Sequence, residues 1–291
     1  MLVRQIGTLS GLLLRQTRGL SSSGATASSD AVLVREKSEG VVEVSLNNPE
    51  LFNAFNDQII GRLTGVFREE LPRVRGLRAV VLTGTGSVFS AGADLNWMRR
   101  MADYGHEENV RDAMALFDMF YSIHACPVPV VGRINGSAIG GGSGLVCSCD
   151  FAFAVKQASF GFTEVKLGLL PAVISPFVIG RIGQSAASRY FLTGERFGTD
   201  TAVRVGMVQE ACDSEEALDR CVAAVTKHIV QSSPQSVAAS KLLVHKVAGS
   251  DILSLKEHLA NEIARLRVSP EGQHGLRSFL SKEPPNWSQF L

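Results

Sequence analysis

A glycine-rich stretch near the middle of the chain carries residue types that can stabilise a negatively charged oxygen. Residues 128–134 are apolar enough for a buried strand, Asn135 and Gly136 predict a turn, and glycines 140–142 lead into a short helix. Glycine has no Cβ, so its backbone can approach a ligand closely, and a helix N-terminus carries partial positive charge. This combination favours a site for an oxygen that gains negative charge during a reaction.

A carboxylate in an apolar segment downstream is the second chemical candidate. Glu164 lies between Phe162 and Leu167. Burial there would raise the pKa of its carboxyl group towards working pH, which suits a group that takes up and returns protons. The alternative is a surface carboxylate paired with Lys166 on the same segment. The residues therefore predict backbone donors in the glycine turn and Glu164 as the proton carrier.

A loop of small residues offers a second backbone donor. Ala91, Gly92 and Ala93 precede Asp94, which is a candidate cap for a helix that runs on through Met98. The small residues either bring another N–H group to a ligand or only permit tight packing. Taken together with the glycine turn, they favour the first interpretation.

Alternating strands and helices must hold these groups in place. The hydrophobic patterns predict strands at residues 32–36, 41–46, 77–83, 128–134, 151–155 and 207–211. They predict helices at residues 59–71, 110–123, 175–183, 186–193, 200–205 and 214–230. This alternation indicates an α/β fold with partly parallel strands over residues 31–230. Residues 231–291 are predicted to be helical throughout, as a C-terminal helical region.

Composition excludes several classes of protein. The 291 residues are 45% hydrophobic and 20% charged, which is typical of a globular chain with a substantial core. The net charge of +1 predicts neither nucleic-acid nor membrane-surface binding. Five scattered cysteines indicate free thiols rather than a disulfide framework. Cys147 and Cys149 lack a second ligand pair at metal-binding spacing, so no metal is predicted.

The first thirty residues differ in composition from the rest. They include Arg4, Arg15 and Arg18, are rich in serine, and contain no acidic residue before Asp30. Their apolar runs are too short for a secretory signal or a membrane span. We expect residues 1–30 to be a mitochondrial transit peptide that is removed, which predicts a mitochondrial matrix location. A plastid leader or a disordered tail is the alternative.

From about residue 31 to the C-terminus, the ordered motifs resemble those of crotonases, the enoyl-CoA hydratase/isomerase superfamily. The matching residues are Asn53-Ala54-Phe55, Ser90 to Asp94, Asn135-Gly136, Gly140 to Gly142, Cys149-Asp150, Glu164, Gly168 and Pro171. The resemblance implies a crotonase (ClpP-like) spiral of ββα units with a C-terminal helical trimerisation region. It also implies a homotrimer, or a hexamer built as a dimer of trimers.

The same resemblance implies the substrate and its contacts. The substrate would be an acyl-CoA thioester, with no separate cofactor because CoA is part of the substrate. Its thioester oxygen would lie between the N–H groups of Ala93 and Gly141, and Glu164 would be the catalytic acid/base. The other positions that match substrate-binding residues are Asn53, Ala54, Ala91, Asp94, Leu95, Gly140, Gly144 and Pro171.

One position departs from the usual hydratase pattern. Typical hydratases of the family have a second glutamate two residues after the glycine triplet, where this chain has Gly144. A 3,2-enoyl-CoA isomerase needs only one base, so Gly144 favours that activity or an acyl-CoA-binding protein without catalysis. Residues 92–101, 142–145 and 163–176, however, resemble 3-methylglutaconyl-CoA hydratase-like enzymes of leucine catabolism. The first choice is therefore a hydratase, with Glu164 handling both proton and water.

Two polar residues near the central strand have open roles. Ser143 is a candidate to fix the attacking water, as is a main-chain group. Arg133 would either pair with Asp150 or another buried acid, or reach the distal carboxylate of a diacid substrate. We favour the ion pair for Arg133.

Overall fold

The computed structural model describes residues 31–291, and the predicted leader lies outside them. The strands are β1 (Val32–Glu36), β2 (Val41–Leu46), β3 (Ala79–Gly84), β4 (Val88–Ser90), β5 (Val130–Ile134), β6 (Ser137–Ile139), β7 (Phe151–Val155), β8 (Ser159–Gly161), β9 (Arg196–Gly198) and β10 (Glu210–Cys212). The α-helices are α1 (Asp57–Gly65), α2 (Leu95–Ala102), α3 (His106–His124), α4 (Gly141–Ser148), α5 (Ser175–Thr193), α6 (Thr199–Arg204), α7 (Glu215–Val230), α8 (Pro234–Val247), α9 (Lys256–Val268) and α10 (Pro270–Ser281).

Shorter helical turns complete the described chain. A π-helical turn spans Val66–Glu70, and 3-10 helices span Pro49–Leu51, Leu71–Arg73, Glu164–Leu167, Leu253–Leu255 and Trp287–Phe290. Between residues 31 and 291, no helix is both long and apolar enough to cross a membrane.

From β3 to β8, successive strands alternate between two sheets. The first sheet has the order β1-β2-β3-β5-β7-β10, and the second has the order β4-β6-β8-β9. The pairs β1–β2 and β8–β9 are antiparallel, and the others are parallel. The pairs β3–β4, β5–β6 and β7–β8 each place one strand in each sheet before a helix follows, which is a ββα unit. The predicted α/β spiral is therefore confirmed, with the fully buried β3 inside the six-stranded sheet.

The turn between β5 and β6 locks two neighbouring ββα units together. Asn135 Oδ1 accepts a hydrogen bond from Gly84 N at 3.2 Å, and Asn135 Nδ2 donates to Gly86 O at 2.7 Å. A Cβ on Gly136 would collide with the carbonyl group of Ser87. Glycine is required because the two turns approach at backbone contact distance. This contact places the glycine turn beside the loop that follows β4.

The predicted elements differ from the structure mainly where segments are short. Three-residue strands β6, β8 and β9 escaped prediction because alternation over three residues carries little signal. The strand predicted at 207–211 is instead Glu210–Cys212. The helix predicted at 59–71 is α-helical only to Gly65, before the π-helical turn. The two helices predicted within α5 meet at Gly183, whose φ of 73° interrupts the helical backbone.

The C-terminal helices leave much of their apolar surface open. Helices α8 and α9 contain no buried residue. Helix α8 is held to the sheet by an ion pair between Lys241 Nζ and Asp150 Oδ2 at 2.7 Å, and Lys241 also donates to Val128 O at 3.2 Å. The helical content of residues 231–291 thus follows the sequence prediction, and their packing against the core is limited.

Candidate active site

The two small-residue loops and Glu164 converge at one end of the four-stranded sheet. A Cβ placed on Gly92 would lie 3.4 Å from Gly141 N and 2.7 Å from Ile139 O. A Cβ placed on Gly140 would lie 3.4 Å from Glu164 Oε1. Gly140 itself has a φ of 54°, a conformation that favours glycine. The structure therefore brings together the three segments that the sequence analysis singled out.

Two backbone N–H groups at this junction are free to bind an oxygen atom. Phe55 N donates to Gly92 O at 2.8 Å and Asp94 N donates to Phe55 O at 3.0 Å, which is a parallel bridge between Phe55 and Ala93. In such a bridge the N–H of the middle residue, Ala93, points away from the partner strand. Gly141 opens α4, where N–H groups have no intrahelical acceptor. Within residues 31–291, neither Ala93 N nor Gly141 N donates a hydrogen bond.

Asp94 holds the first of these donors in place. Its Oδ1 accepts hydrogen bonds from Asn96 N and Trp97 N, both at 2.9 Å, so it caps α2 as predicted. The Trp97 ring is buried, and its Nε1 donates to Asp112 Oδ1 at 3.2 Å. The carboxylate of Asp94 is thus used to anchor the helix directly behind Ala93.

Asn53 braces the adjoining loop from inside the protein. Its Oδ1 accepts from Asn48 N, and its Nδ2 donates to Thr85 O and Val88 O, each at 2.8 Å. The residue is 1% exposed, with a left-handed φ of 53°. The structure therefore corrects the predicted substrate contact for this side chain, because its amide group is engaged by three backbone groups.

The other residues predicted to contact substrate lie around the same junction with different exposures. Ala91 and Leu95 are exposed, Gly140 is half-buried, and Ala54, Gly144 and Pro171 are buried. Gly144 is buried behind the surface of the site and is not accessible to a substrate. Ala91, Leu95 and Gly140 remain the accessible candidates.

The carboxyl group of Glu164 has the properties expected of a proton carrier. Its Oε2 is the single buried side-chain oxygen or nitrogen in residues 31–291 without a hydrogen-bond partner. Burial raises the pKa of this carboxyl group above its ordinary value, and a hydrogen bond from its own backbone partly offsets the rise. Glu164 forms no ion pair with Lys166, which packs over Gly194. The surface-pair alternative is therefore wrong.

Apolar side chains fill the space where a second glutamate would stand. A Cβ on Gly144 would lie 3.0 Å from Ile174 Cβ, 3.1 Å from Phe120 Cε1, and closer still to Ile174 Cγ2. Both neighbouring residues are buried. The missing carboxylate is thus a consequence of a wall built from Ile174 and Phe120. Sequence reasoning missed this wall, because no local pattern connects Ile174 with Gly144.

Restoring a glutamate at this position should destabilise the protein without adding a second acid. We expect Gly144→Glu to lower the free energy of unfolding by more than about 3 kcal/mol, because it combines overpacking with burial of an unpaired carboxylate. Thermal denaturation measures the change. Gly180→Glu is the matched control, since a Cβ on Gly180 meets nothing within 4 Å. A Gly144→Glu protein as stable as the wild type, with faster hydration, would contradict this account of the wall.

Two other polar predictions have clear outcomes. Ser143 is buried, its Oγ donates to Ala138 O at 2.6 Å and accepts from Gly161 N at 3.3 Å. It therefore braces the glycine turn and is not placed to fix a water. Arg133 forms ion pairs with Glu215 and Asp219 on α7. Arg133 therefore forms an ion pair, as favoured, but its partners are two exposed acids and not a buried one. Asp150 is the wrong partner, because it is paired with Lys241.

Comparison with known proteins agrees with the fold and with the family resemblance. A family model described as enoyl-CoA hydratase/isomerase matches residues 36–290. A crystal structure of an enoyl-CoA hydratase from Shewanella pealeana is 37% identical, covering 88% of this chain and 96% of its own, with a TM-score of 0.84. The enoyl-CoA hydratase ACTT6 of Alternaria alternata is 32% identical, over 86% of this chain and 82% of its own.

A further relative comes from Dictyostelium discoideum and is named "Probable enoyl-CoA hydratase, mitochondrial". It is 30% identical over 260 residues, which are 87% of this chain and 89% of the relative. These matches span nearly all of the described chain. The chain therefore belongs to the enoyl-CoA hydratase/isomerase family, which has the crotonase fold and acts on acyl-CoA thioesters.

Proposed function

We propose that this protein hydrates a 2-enoyl-CoA thioester with Glu164 as its single acid/base. The observation that carries the proposal is the partly buried carboxyl group of Glu164, which has an unpartnered Oε2 and lies beside Gly140. The free N–H groups of Ala93 and Gly141 are adjacent in the same junction. A proton carrier and two oxygen-binding donors are the minimum set for this reaction.

In the proposed reaction the carboxylate of Glu164 takes a proton from water as the water oxygen bonds to the β-carbon of the substrate. Electrons of the double bond move to the thioester oxygen, which becomes an enolate held by the N–H groups of Ala93 and Gly141. Removing one such donor typically costs about 2.7–4 kcal/mol of transition-state stabilisation. Glu164 then returns the proton to the α-carbon, which completes the addition of water.

We further propose a 3-methylglutaconyl-CoA-like substrate, which would place the protein in leucine catabolism. The support is the resemblance of residues 92–101, 142–145 and 163–176 to that subgroup. The apolar wall of Ile174 and Phe120 supports a one-glutamate mechanism, since it replaces the second carboxylate without leaving a void. Exposed leucines beyond Glu164, at positions 167, 169 and 170, offer apolar surface next to the site.

The same wall favours a second candidate activity, the 3,2-enoyl-CoA isomerase. Isomerisation moves one proton from the α-carbon side of a 3-enoyl thioester to its γ-carbon, and one carboxylate suffices for both transfers. Glu164 would do that work alone, because position 144 is a glycine whose Cβ would meet the side chains of Ile174 and Phe120. A crotonase-fold protein that binds acyl-CoA without turnover is the third outcome.

We propose that the protein works in the mitochondrial matrix as a homotrimer or a dimer of trimers. The basic, acid-free composition of residues 1–30 and the mitochondrial name of the Dictyostelium relative support the location. The open apolar surface of the C-terminal helices supports assembly. The exposed side chains concerned include Leu242, Val244, Val268, Phe279 and Leu280.

Two assays on the purified chain separate the candidate activities. One follows hydration of 3-methylglutaconyl-CoA, and the other follows conversion of a 3-enoyl-CoA to the 2-enoyl-CoA. We expect hydration to exceed isomerisation in kcat/KM. Isomerisation without hydration would overturn the hydratase proposal, and tight binding of both thioesters without turnover would reduce the role to binding.

A further inference from the structure

Two cysteines that are distant from the active site lie side by side at the edge of the six-stranded sheet. Cys212 ends β10, and Cys221 lies on α7. Their sulfur atoms are 3.6 Å apart, and Cys221 Sγ lies 3.4 Å from Glu210 Oε1. The two sulfurs and the carboxylate oxygen all lie within 4.8 Å of one another. Two sulfur ligands and one oxygen ligand thus lie close enough together to share one ion.

We propose that Cys212, Cys221 and Glu210 form a site for Zn²⁺. Zinc is bound tetrahedrally by cysteine sulfur at about 2.3 Å and by carboxylate oxygen at about 2.0–2.2 Å. Tetrahedral angles with those lengths separate two sulfur ligands by roughly 3.8 Å, and a sulfur from an oxygen by roughly 3.6 Å. The distances of 3.6 Å and 3.4 Å already match these values. A zinc ion therefore fits with little movement of the side chains.

The surroundings give solvent access to Glu210 and Cys221. A cleft of about 480 Å³ lies against Glu210 and Cys221 and opens to solvent. It can admit the ion and hold the water that completes a tetrahedron. Arg220 lines the same cleft, and its positive charge partly offsets the net negative charge of two thiolates and a carboxylate.

Metal binding must be coupled to proton release. Zinc binds cysteine as the thiolate, so each thiol must lose its proton when the ion binds: Zn²⁺ plus two thiols gives the zinc dithiolate plus two protons. Affinity should rise with pH for that reason.

The geometry favours a metal over a disulfide between the same cysteines. A disulfide needs the sulfurs about 2.05 Å apart, so they would have to approach by roughly 1.5 Å. The backbone of Cys212 is held in the sheet, where it pairs with Val155 and its carbonyl oxygen accepts from Lys156 N at 2.8 Å. Zinc bridges the sulfurs at the separation that this framework already sets.

Zinc titration of the reduced full chain, in a buffer with a thiol-free reductant, tests the proposal. We expect one ion per chain and release of about two protons in calorimetry across buffers of different ionisation enthalpy. Co²⁺ in place of Zn²⁺ should show thiolate-to-metal charge-transfer absorption. Cys212→Ser and Cys221→Ser should each weaken binding by more than about 100-fold, which exceeds the cost of losing an outer-shell partner.

Matched variants keep the result interpretable. Cys126→Ser changes another buried cysteine, which lies outside the cluster, and should leave zinc affinity unchanged. Glu210→Gln alters an exposed side chain, so the fold should survive and affinity should fall about tenfold. Absence of saturable binding, equal loss in Cys126→Ser, or a Cys212–Cys221 disulfide in a chain that binds no zinc when reduced would each overturn the proposal.

Discussion

Replacing Glu164 with glutamine should lower kcat by about 10²–10⁴, the usual contribution of a positioned acid/base. Glutamine keeps the shape of the side chain but cannot accept a proton from water or return one to carbon. Acyl-CoA binding should persist, because the backbone donors at Ala93 and Gly141 are unchanged. Steady-state kinetics measure kcat. The Kd for a saturated acyl-CoA, which cannot react, shows whether the binding site is intact.

The same substitution should also stabilise the folded protein at neutral pH. Burial raises the folded-state pKa of Glu164 above its ordinary value, so the folded state binds this proton more tightly than the unfolded state. The free energy of unfolding of the wild type therefore falls as pH rises from the unfolded pKa through the folded pKa. Glutamine removes that penalty. The Tm of Glu164→Gln should exceed that of the wild type near neutral pH and approach it in acid.

Glu195→Gln is the matched control for both measurements. It removes one carboxylate that is exposed and paired with Arg189. It should leave kcat within twofold of the wild type, because Glu195 is not among the groups of the candidate site. It should change the free energy of unfolding only slightly, as is usual for a surface ion pair. Equal activity in Glu164→Gln and the wild type would show that this carboxyl group carries no proton in the reaction. The pH profile adds a second check: kcat/KM of the wild type should rise with pH through the raised pKa.

The convergence of the three segments at the candidate site was predictable, because each segment is a short motif with a recognisable residue pattern. Gly92, Gly141 and Glu164 are far apart in the chain, yet each belongs to a local pattern with a physical reason. Gly92 and Gly140 have positive φ, and Asp94 caps the helix that starts beside Ala93. The alternation of strands and helices indicated the α/β fold, because each ββα unit repeats a similar sequence pattern of hydrophobic runs separated by turn residues.

The remaining features depend on contacts between distant residues. Ile174 comes from another segment and fills the space beside Gly144. The sequence around Ile174 contains no pattern that predicts this contact. Asn53 was expected to touch substrate, but its amide is bound by three backbone groups across the loop. Cys212 and Cys221 were expected to be free thiols, and no pattern in the sequence indicated that the packing of α7 against β10 brings their sulfur atoms within 3.6 Å of each other.

The proposed chemistry depends more on backbone than on side chains. Within the described site, the oxygen-binding groups are main-chain N–H groups, and Glu164 is the single predicted catalytic side chain. The positions of the N–H groups of Ala93 and Gly141 depend on the close approach of the two glycine loops. A side chain at this contact would push the two loops apart. Substitutions that widen this approach should therefore affect rate as severely as loss of Glu164 affects it, even though they remove no functional group.

Gly92→Ala is the substitution that tests this dependence most directly. The added Cβ would lie 2.7 Å from Ile139 O and 3.4 Å from Gly141 N. The loop that carries Ala93 must then move away from α4, so the two donors can no longer meet one oxygen atom. We expect kcat to fall by about 10²–10³, as for loss of one oxyanion donor. Steady-state kinetics with the best substrate measure the loss.

Backbone strain alone must be separated from this effect. Gly92 has a φ of 86°, and alanine there costs about 1–2 kcal/mol of stability through its left-handed backbone. Gly206→Ala imposes the same strain, since its φ is 80° and its Cβ would meet only Arg181 O at 3.6 Å. Gly206→Ala should lose stability and keep kcat. If both variants lose stability equally and both keep kcat, the donors of Ala93 and Gly141 do not act together on the substrate oxygen.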